Sequence, residues 1–323
     1  MTASLLDPDA IREARSRIRP YLSPSPLRRS FALAHRGLIE LKLECWQPTG
    51  SFKVRGALSN LAALSPEERT RGVVAASAGN HALGIAFAAS VLQEPVAATL
   101  FVPRDAPRSK LEKLRAFPVG VVEVEGTYDD AHEAAMAHVE RTGARYVHAF
   151  DDPLTAAGQG TLALELLEDC PDVGTVVIPV GGGGLIAAVA AVLKSAVPDV
   201  RIVAVQPDAS PALRDSLRAG QPLLTYAARP TLADGLAGGI GEIVFAHRHL
   251  IDEVAQVSED EIEEAIVALL AKDQVVVEGS GAVAAAAILT GRVAAHATRP
   301  TVAVLTGGNI DASVLARLLQ RRS

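Results

Sequence analysis

The chain has 323 residues, 49% hydrophobic and only 4% aromatic, with 37 acidic against 31 basic side chains and a formal net charge of −6. That length allows about two domains with cores of their own, the apolar fraction excludes general disorder, and the lack of a cationic surplus argues against a dedicated nucleic-acid binder. With one Trp, four Tyr and seven Phe, Ala, Val, Leu and Ile must build the core, which favours layered helices and buried parallel strands over an aromatic-rich sandwich.

The first segment, MTASLLDPDAIREARSRIRPYL, scatters charge through its apolar positions and is not a signal peptide. A strand is predicted over 39–44, with a helical run following Lys53. From there, β-branched runs alternate with helix-period segments. The predicted strands are 73–77, 96–102, 119–125, 146–150, 175–180, 201–206 and 301–305. The predicted helices are 81–92, 109–117, 129–141, 162–168 and 185–195. Ser258, followed three residues later by Glu261, forms a capping box opening a helix to Ala271. The stretch 173–193 carries no charge, but Pro179 and four consecutive glycines divide it into strand, loop and helix, so no membrane span is expected.

Repeated strand–helix–strand units predict an α/β protein with mainly parallel sheets. No linker separates two domains, which suggests that one interrupts the other: a small domain over 73–146 inserted in a larger one made of 1–72 and 147–323. Cys45 and Cys170 lie far apart without a CxxC or Cys/His cluster. Neither a disulfide framework nor a zinc site is expected, and a reducing cytoplasm is the natural setting. His132, His138, His148, His247 and His249 show no ligand-like pairing and read as surface or packing residues.

Four motifs follow strands, where ligands of open α/β sheets bind. In Pro48-Thr49-Gly50-Ser51-Phe52-Lys53-Val54-Arg55-Gly56-Ala57, a lysine partly buried at a helix start would have its pKa lowered by desolvation and by the helix dipole, leaving a usable amine nucleophile. The alternative is a solvated lysine whose stem packs on Phe52. Ser77-Ala78-Gly79-Asn80-His81 offers hydroxyl, amide and backbone N–H groups to a carboxylate or phenolate oxygen, or simply caps a helix. Gly181-Gly182-Gly183-Gly184 lets successive N–H groups converge on one anion at a helix N-terminus. No Lys-Ser/Thr follows, so a single phosphate monoester fits better than a nucleoside triphosphate. In Leu305-Thr306-Gly307-Gly308-Asn309 a hydroxyl at a strand end can meet a ring nitrogen. Together they describe pyridoxal 5′-phosphate: an aldehyde for the lysine, a phosphate for the glycines, a ring nitrogen and a phenolic oxygen.

In these motifs, and in Ala233-Asp234-Gly235 and Glu278-Gly279-Ser280-Gly281, the chain resembles the fold-type II pyridoxal-phosphate enzymes nearly end to end, in particular their threonine/serine dehydratase and serine racemase branch. The resemblance implies a tryptophan synthase β-like fold of two open, mainly parallel sheets with helices on both faces. It implies that Lys53 bonds to the cofactor aldehyde and later takes the substrate α-proton, and that Gly181 to Gly184 hold the phosphate. Asn80 would meet the phenolic oxygen and Phe52 pack by the ring. Thr306 would stand opposite the pyridine nitrogen in place of the usual serine, favouring prompt β-elimination over a long-lived carbanion. Gly235, Glu278 and Gly307 would complete the cofactor site, with Ser77, Ala78 (backbone only), Asn80 and His81 holding the substrate carboxylate. The implied reaction is dehydration and deamination of L-threonine or L-serine to 2-oxobutyrate or pyruvate plus ammonia, by a homodimer or higher homo-oligomer.

Departures from the family pattern refine this. Serine racemases carry a serine where this chain has Ala78, and racemisation needs acid/base groups on both faces, so dehydration is favoured. The glutamate of the family's divalent-cation segment is here Gln206, in Val205-Gln206-Pro207-Asp208. No metal site is therefore expected, with Asp208 as the residue that could compensate. The alternatives weighed are a lyase for another β-hydroxy amino acid such as 3-hydroxyaspartate or in compatible-solute breakdown, a serine racemase, a catalytically silent cofactor-binding protein, and a nicotinamide-binding protein using Asp199 or Asp208.

Overall fold

A computed structural model of the chain describes residues 5–104 and 108–322. In chain order the strands are β1 (Leu27–Arg29), β2 (Ile39–Lys42), β3 (Val73–Ala76), β4 (Ala98–Pro103), β5 (Gly120–Val124), β6 (Arg145–Tyr146), β7 (Thr175–Pro179), β8 (Arg201–Pro207), β9 (Glu253–Val257) and β10 (Thr301–Val304). The helices are α1 (Pro8–Ile18), α2 (Lys53–Ala62), α3 (Pro66–Arg71), α4 (Asn80–Val91), α5 (Arg108–Arg115), α6 (Tyr128–Thr142), α7 (Pro153–Asp169), α8 (Gly184–Ala196), α9 (Ala212–Ala219), α10 (Glu242–Ala246), α11 (Glu259–Ala268), α12 (Gly279–Leu289) and α13 (Ala312–Arg322).

One sheet has the order β1-β2-β10-β7-β8-β9 and the other β5-β4-β3-β6. Every pairing is parallel except that of β1 with β2. The α/β architecture is thus the expected one. Its central strands are apolar on both faces because helices cover both: Val176 and Ile178 of β7 enter one core while Val177 enters the other. In β3, Val73 and Ala75 face one layer, Val74 and Ala76 the opposite one. All four strands of the smaller sheet lie between residues 73 and 146. The core on one of its faces, however, also takes Ile18 and Leu22 from the N-terminal region and Val54, Ala57, Leu58 and Leu61 from α2. The helix that starts at Lys53 is therefore built into the packing of the smaller sheet.

Several predicted bounds change. The strand expected over 146–150 ends at Tyr146, because the His148 ring accepts backbone N–H groups from Phe150 and Asp151 and folds the chain into a turn. The helix expected over 162–168 begins nine residues earlier at Pro153, with the Asp152 side chain capping Thr155 N. The capping box of Ser258 and Glu261 is formed on both sides, yet α11 passes into a π turn over Leu269–Asp273 rather than running to Ala271 as an α-helix. The strands β1 and β9 and the helices α1, α3, α9, α10, α12 and α13 lie outside the predicted elements.

Candidate functional site

The four motifs converge. Phe52 N donates to Thr306 O at 3.0 Å, and Ser51 forms an isolated bridge with Gly307, so the loop before α2 is sewn to the loop after β10. Thr306 is buried, and its hydroxyl donates to Ser280 O at 3.3 Å. Ser280 Oγ in turn accepts Gly235 N at 3.0 Å, and Gly235 O lies 3.0 Å from where a side chain on Gly181 would begin. On the opposite side, Lys53 Nζ donates to Ala149 O at 2.8 Å. The next residue, Phe150, lays its ring against Gly182 and its carbonyl against Gly184, at positions a Cβ would occupy. A closed circuit of contacts therefore joins Lys53, the glycine loop, Gly235 and Thr306.

Lys53 heads α2, half-buried, with Nζ 5.1 Å from the Phe52 ring centroid. Burial lowers its pKa to about 8, so a sizeable neutral fraction exists near neutral pH. The glycine loop ends in Gly183, whose φ of 88° is left-handed and whose Cβ would strike Val244. No N–H of residues 181–184 donates in any described hydrogen bond. Placed at the start of α8, these N–H groups suit a compact anion. The residues fit a phosphorylated aldehyde: amine, anion cradle and an apolar ring beside the amine.

Asn80 opens α4 and is held by an alternating chain of donors and acceptors. Lys113 Nζ donates to Asn309 Oδ1 at 3.0 Å, and Asn309 Nδ2 donates to Thr49 O at 2.8 Å and to Asn80 Oδ1 at 2.7 Å. Asn80 Nδ2 then donates to Glu278 Oε1 at 2.6 Å. The chain fixes the amide orientation and leaves one N–H of Asn80 for another acceptor. Glu278, which precedes α12, also receives Asn80 over Gly307, where a Cβ would collide with its carboxylate.

Ser77 and Ala78 lie half-buried just beyond β3, with Ser77 Oγ accepting Gly79 N at 3.1 Å. The ring of His81 turns away from that loop. Its Nε2 sits 2.8 Å from Val147 O, and burial, aided by the charge of Lys53, pushes its pKa down to about 3. It is a neutral imidazole whose Nδ1 offers a lone pair rather than an N–H. Gln206 is fully buried, donating to Val180 O at 3.2 Å and accepting Leu213 N at 3.0 Å and Arg214 N at 3.3 Å. Asp208 is exposed beside Arg229. Among the described residues no group of three His, Cys, Asp or Glu side chains could hold a metal ion.

Sequence reasoning missed the support beneath Lys53. Two residues along α2, Arg55 is buried and binds Glu44 through Nε and Nη2 (2.7 and 2.8 Å) and Glu165 through Nη1 and Nη2 (2.6 and 2.8 Å). Buried Lys42 Nζ adds an ion pair to Glu165 at 2.8 Å. Two cations and two carboxylates thus meet inside the protein; they come from the end of β2 and just beyond it (Lys42, Glu44), from α2 and from α7, so no local spacing marks the cluster. The turn 148–151 was missed as well, although Asp152-Pro153 signalled a helix start immediately after it.

Comparison with known proteins agrees with this geometry. A model of the pyridoxal-phosphate dependent enzyme family matches residues 18–307. The chain is 44% identical to the L-threonine ammonia-lyase of Thermotoga maritima over 96% of its own length and 77% of that protein. It is 38% identical to the catabolic L-threonine dehydratase TdcB of Escherichia coli K12, covering 96% and 95% of the two chains. Among solved structures, maize serine racemase is similar with a TM-score of 0.90 and 32% identity, covering 99% of this chain and 98% of that one.

Proposed function

The chain belongs to the pyridoxal-phosphate dependent enzyme family, and on that premise we propose that it is an L-threonine ammonia-lyase, converting L-threonine to 2-oxobutyrate and ammonia, with L-serine giving pyruvate by the same route. The observation that carries the reading is Lys53 Nζ, lowered in pKa and set in one circuit with the glycine cradle. Curated relatives across nearly the whole chain carry that activity in their names.

When bound, pyridoxal phosphate supplies an electron-accepting ring that stabilises negative charge at the substrate α-carbon. The backbone N–H groups of Gly181 to Gly184 would hold the phosphate, Asn80 would donate its remaining N–H to the phenolic oxygen, and Phe52 would flank the ring. Thr306, whose hydroxyl here donates to Ser280 O, would turn that neutral hydroxyl to the ring nitrogen. Gly235, Glu278 and Gly307 close the wall between them. Lys53 Nζ would be the amine that bonds to the aldehyde and, when free, the base for the substrate α-proton. Loss of the α-proton and of the β-hydroxyl together amounts to one water, and the resulting 2-amino-2-enoate, once tautomerised to its imine, takes up one water to give the 2-oxo acid and ammonia. Ser77 and the amides of Ala78 and Asn80 bind the substrate carboxylate at the start of α4. His81 contributes there through its main chain, its ring being engaged with Val147.

The proposed division into an inserted unit, 73–146, and a body of 1–72 plus 147–323 rests on the smaller sheet, whose four strands all lie within 73–146, although its core also takes in Ile18, Leu22 and α2. Asn80 on one side of the site and the glycine loop on the other would be brought together when the unit seats. Two free, buried cysteines suit the proposed cytoplasmic setting, and no described helix is long and apolar enough to cross a membrane. We assign the assembled form as a homo-oligomer.

The test is incubation of the purified protein with L-threonine, L-serine and threo-3-hydroxyaspartate, measuring 2-oxo acid and ammonia. Fastest release from L-threonine is expected. Release from 3-hydroxyaspartate alone, or D-serine formation from L-serine without ammonia, would replace the reading with a related lyase or a racemase. Ala78 disfavours the racemase, since a methyl group cannot carry a proton to the opposite face.

A further inference from the structure

The turn 148–151 touches both halves of the site through successive residues. Ala149 O accepts Lys53 Nζ. The Phe150 ring and carbonyl fill the space beside Gly182 and Gly184. The Asp151 carboxylate accepts Glu242 N at 3.1 Å and Ile243 N at 2.9 Å, fixing the start of α10. That helix braces the glycine loop from its other side, through Gly241 N donating to Gly182 O at 2.9 Å and through Val244 against Gly183. Within the turn itself, His148 Nδ1 accepts two successive backbone N–H groups, Phe150 N at 3.3 Å and Asp151 N at 2.9 Å.

We propose that His148 is a positioning residue, its neutral ring keeping Ala149 on the Lys53 amine and Phe150 on the phosphate cradle in a single register. The proposal rests on the ammonia-lyase reading above and names a residue through which that site is regulated by protons. With two N–H groups directed at it, Nδ1 must present a lone pair, so the neutral ring carries its proton on Nε2. Protonation of Nδ1 would set a third N–H against the other two and open the turn, releasing both contacts together. A structural histidine buried in a core would not have this consequence, because its acceptor would not link two halves of a site.

The surroundings set the direction of the titration. Burial lowers the His148 pKa, and the Asp151 and Asp152 carboxylates on its own segment oppose that; Lys53 on α2 and His132 on α6 lower it further. The uncharged faces are the Tyr146 ring, 6.2 Å away, and the Phe150 ring, edge-on at 4.6 Å. The His81 ring on α4 also feels its charge. The net result keeps the ring neutral at physiological pH and places its protonation below the ordinary histidine range, so the loss of activity falls on the acid side.

Two variants of the holoenzyme test this, with threonine turnover and the visible absorbance of bound cofactor followed across pH. His148→Leu removes the acceptor; it is expected to lose at least about tenfold in kcat/KM at every pH, the loss expected for one or two hydrogen bonds, and to release cofactor more readily. His148→Asn keeps an acceptor that suits such a turn but does not titrate. It is expected to recover most of that loss and to lack the acid limb attributed to His148 in the unsubstituted enzyme. An acid limb in His148→Asn unchanged from the parent would overturn the proposal, as would His148→Leu matching the parent in turnover and absorbance. Should His148→Leu fail to fold, the His148→Asn profile decides alone. If the parent enzyme shows neither cofactor absorbance nor threonine turnover, the ammonia-lyase reading falls and this proposal with it.

Discussion

Asn80 and Glu278, 198 residues apart in sequence, share a 2.6 Å hydrogen bond that ties the first turn of α4 to the residue heading α12. The bond spans the site, because α4 follows a strand of the smaller sheet whereas α12 packs against the larger one. Asn80→Ala removes this bond and the one from Asn309. The expected result is a stability loss of about 1–3 kcal/mol together with weaker cofactor retention, read by thermal unfolding with and without added pyridoxal phosphate. A variant that binds cofactor as tightly as the parent would remove Asn80 from the cofactor site.

Arg55 is the side chain on which the foundation of α2 depends. Replacing it by Met leaves Glu44 and Glu165 buried without their guanidinium partner, which is expected to cost about 3–5 kcal/mol in urea unfolding. Burial alone would raise the Glu165 pKa, but Arg55 and Lys42 outweigh it and the net shift is downward. A carboxyl lowered in the fold binds protons less readily there than in the unfolded chain. Its stabilisation is therefore present above the unfolded value and lost as pH falls through the folded one. The parent should unfold in acid over that window, and Arg55→Met should show a shallower acid dependence.

Gly183→Ala probes the cradle. A left-handed non-glycine residue costs about 1–3 kcal/mol, and the added methyl also meets Val244. Equilibrium dialysis should show cofactor affinity reduced by at least about tenfold, with the helix content of the protein retained.

The lowered pKa of Lys53 predicts how the cofactor-free protein takes up pyridoxal phosphate. Only the neutral amine attacks the aldehyde, and the amine is neutral above about 8 rather than above 10.5. Rapid-mixing absorbance should give an uptake rate rising about tenfold per pH unit below that value and levelling above it. A rate still climbing steeply at pH 10 would mean a solvated lysine.

Much of this was legible in the sequence, and the rest was hidden for identifiable reasons. The runs VVAA, TVVIP and TVAV read as buried parallel strands because both of their faces are covered. The glycine loop and Lys53 were visible because their chemistry needs contiguous residues. β1, three residues of Leu-Arg-Arg on the edge of its sheet, has no apolar alternation to betray it. The first half of α7 carries Gly158 against Arg55 O of α2 and Gly160 against Ala188 of α8. A helix so enclosed shows no amphipathic stripe, and only its second half was foreseen. The His148 turn masquerades as a strand, since its defining bonds run from side chain to backbone over two and three residues. Gln206 reads in the sequence only as a replaced cation ligand, since its role as the buried amide joining Val180 to the start of α9 depends on contacts distant in the chain.

The central claim is that Lys53 Nζ is both the attachment point of the cofactor and the base that takes the α-proton. Its most direct measurement is the purified Lys53→Ala variant, assayed for the visible absorbance of bound pyridoxal phosphate and for 2-oxobutyrate release from L-threonine, with far-UV circular dichroism to establish folding. A folded protein lacking both signals is the predicted result. A folded Lys53→Ala protein that still turns over L-threonine at a rate near that of the parent would contradict it.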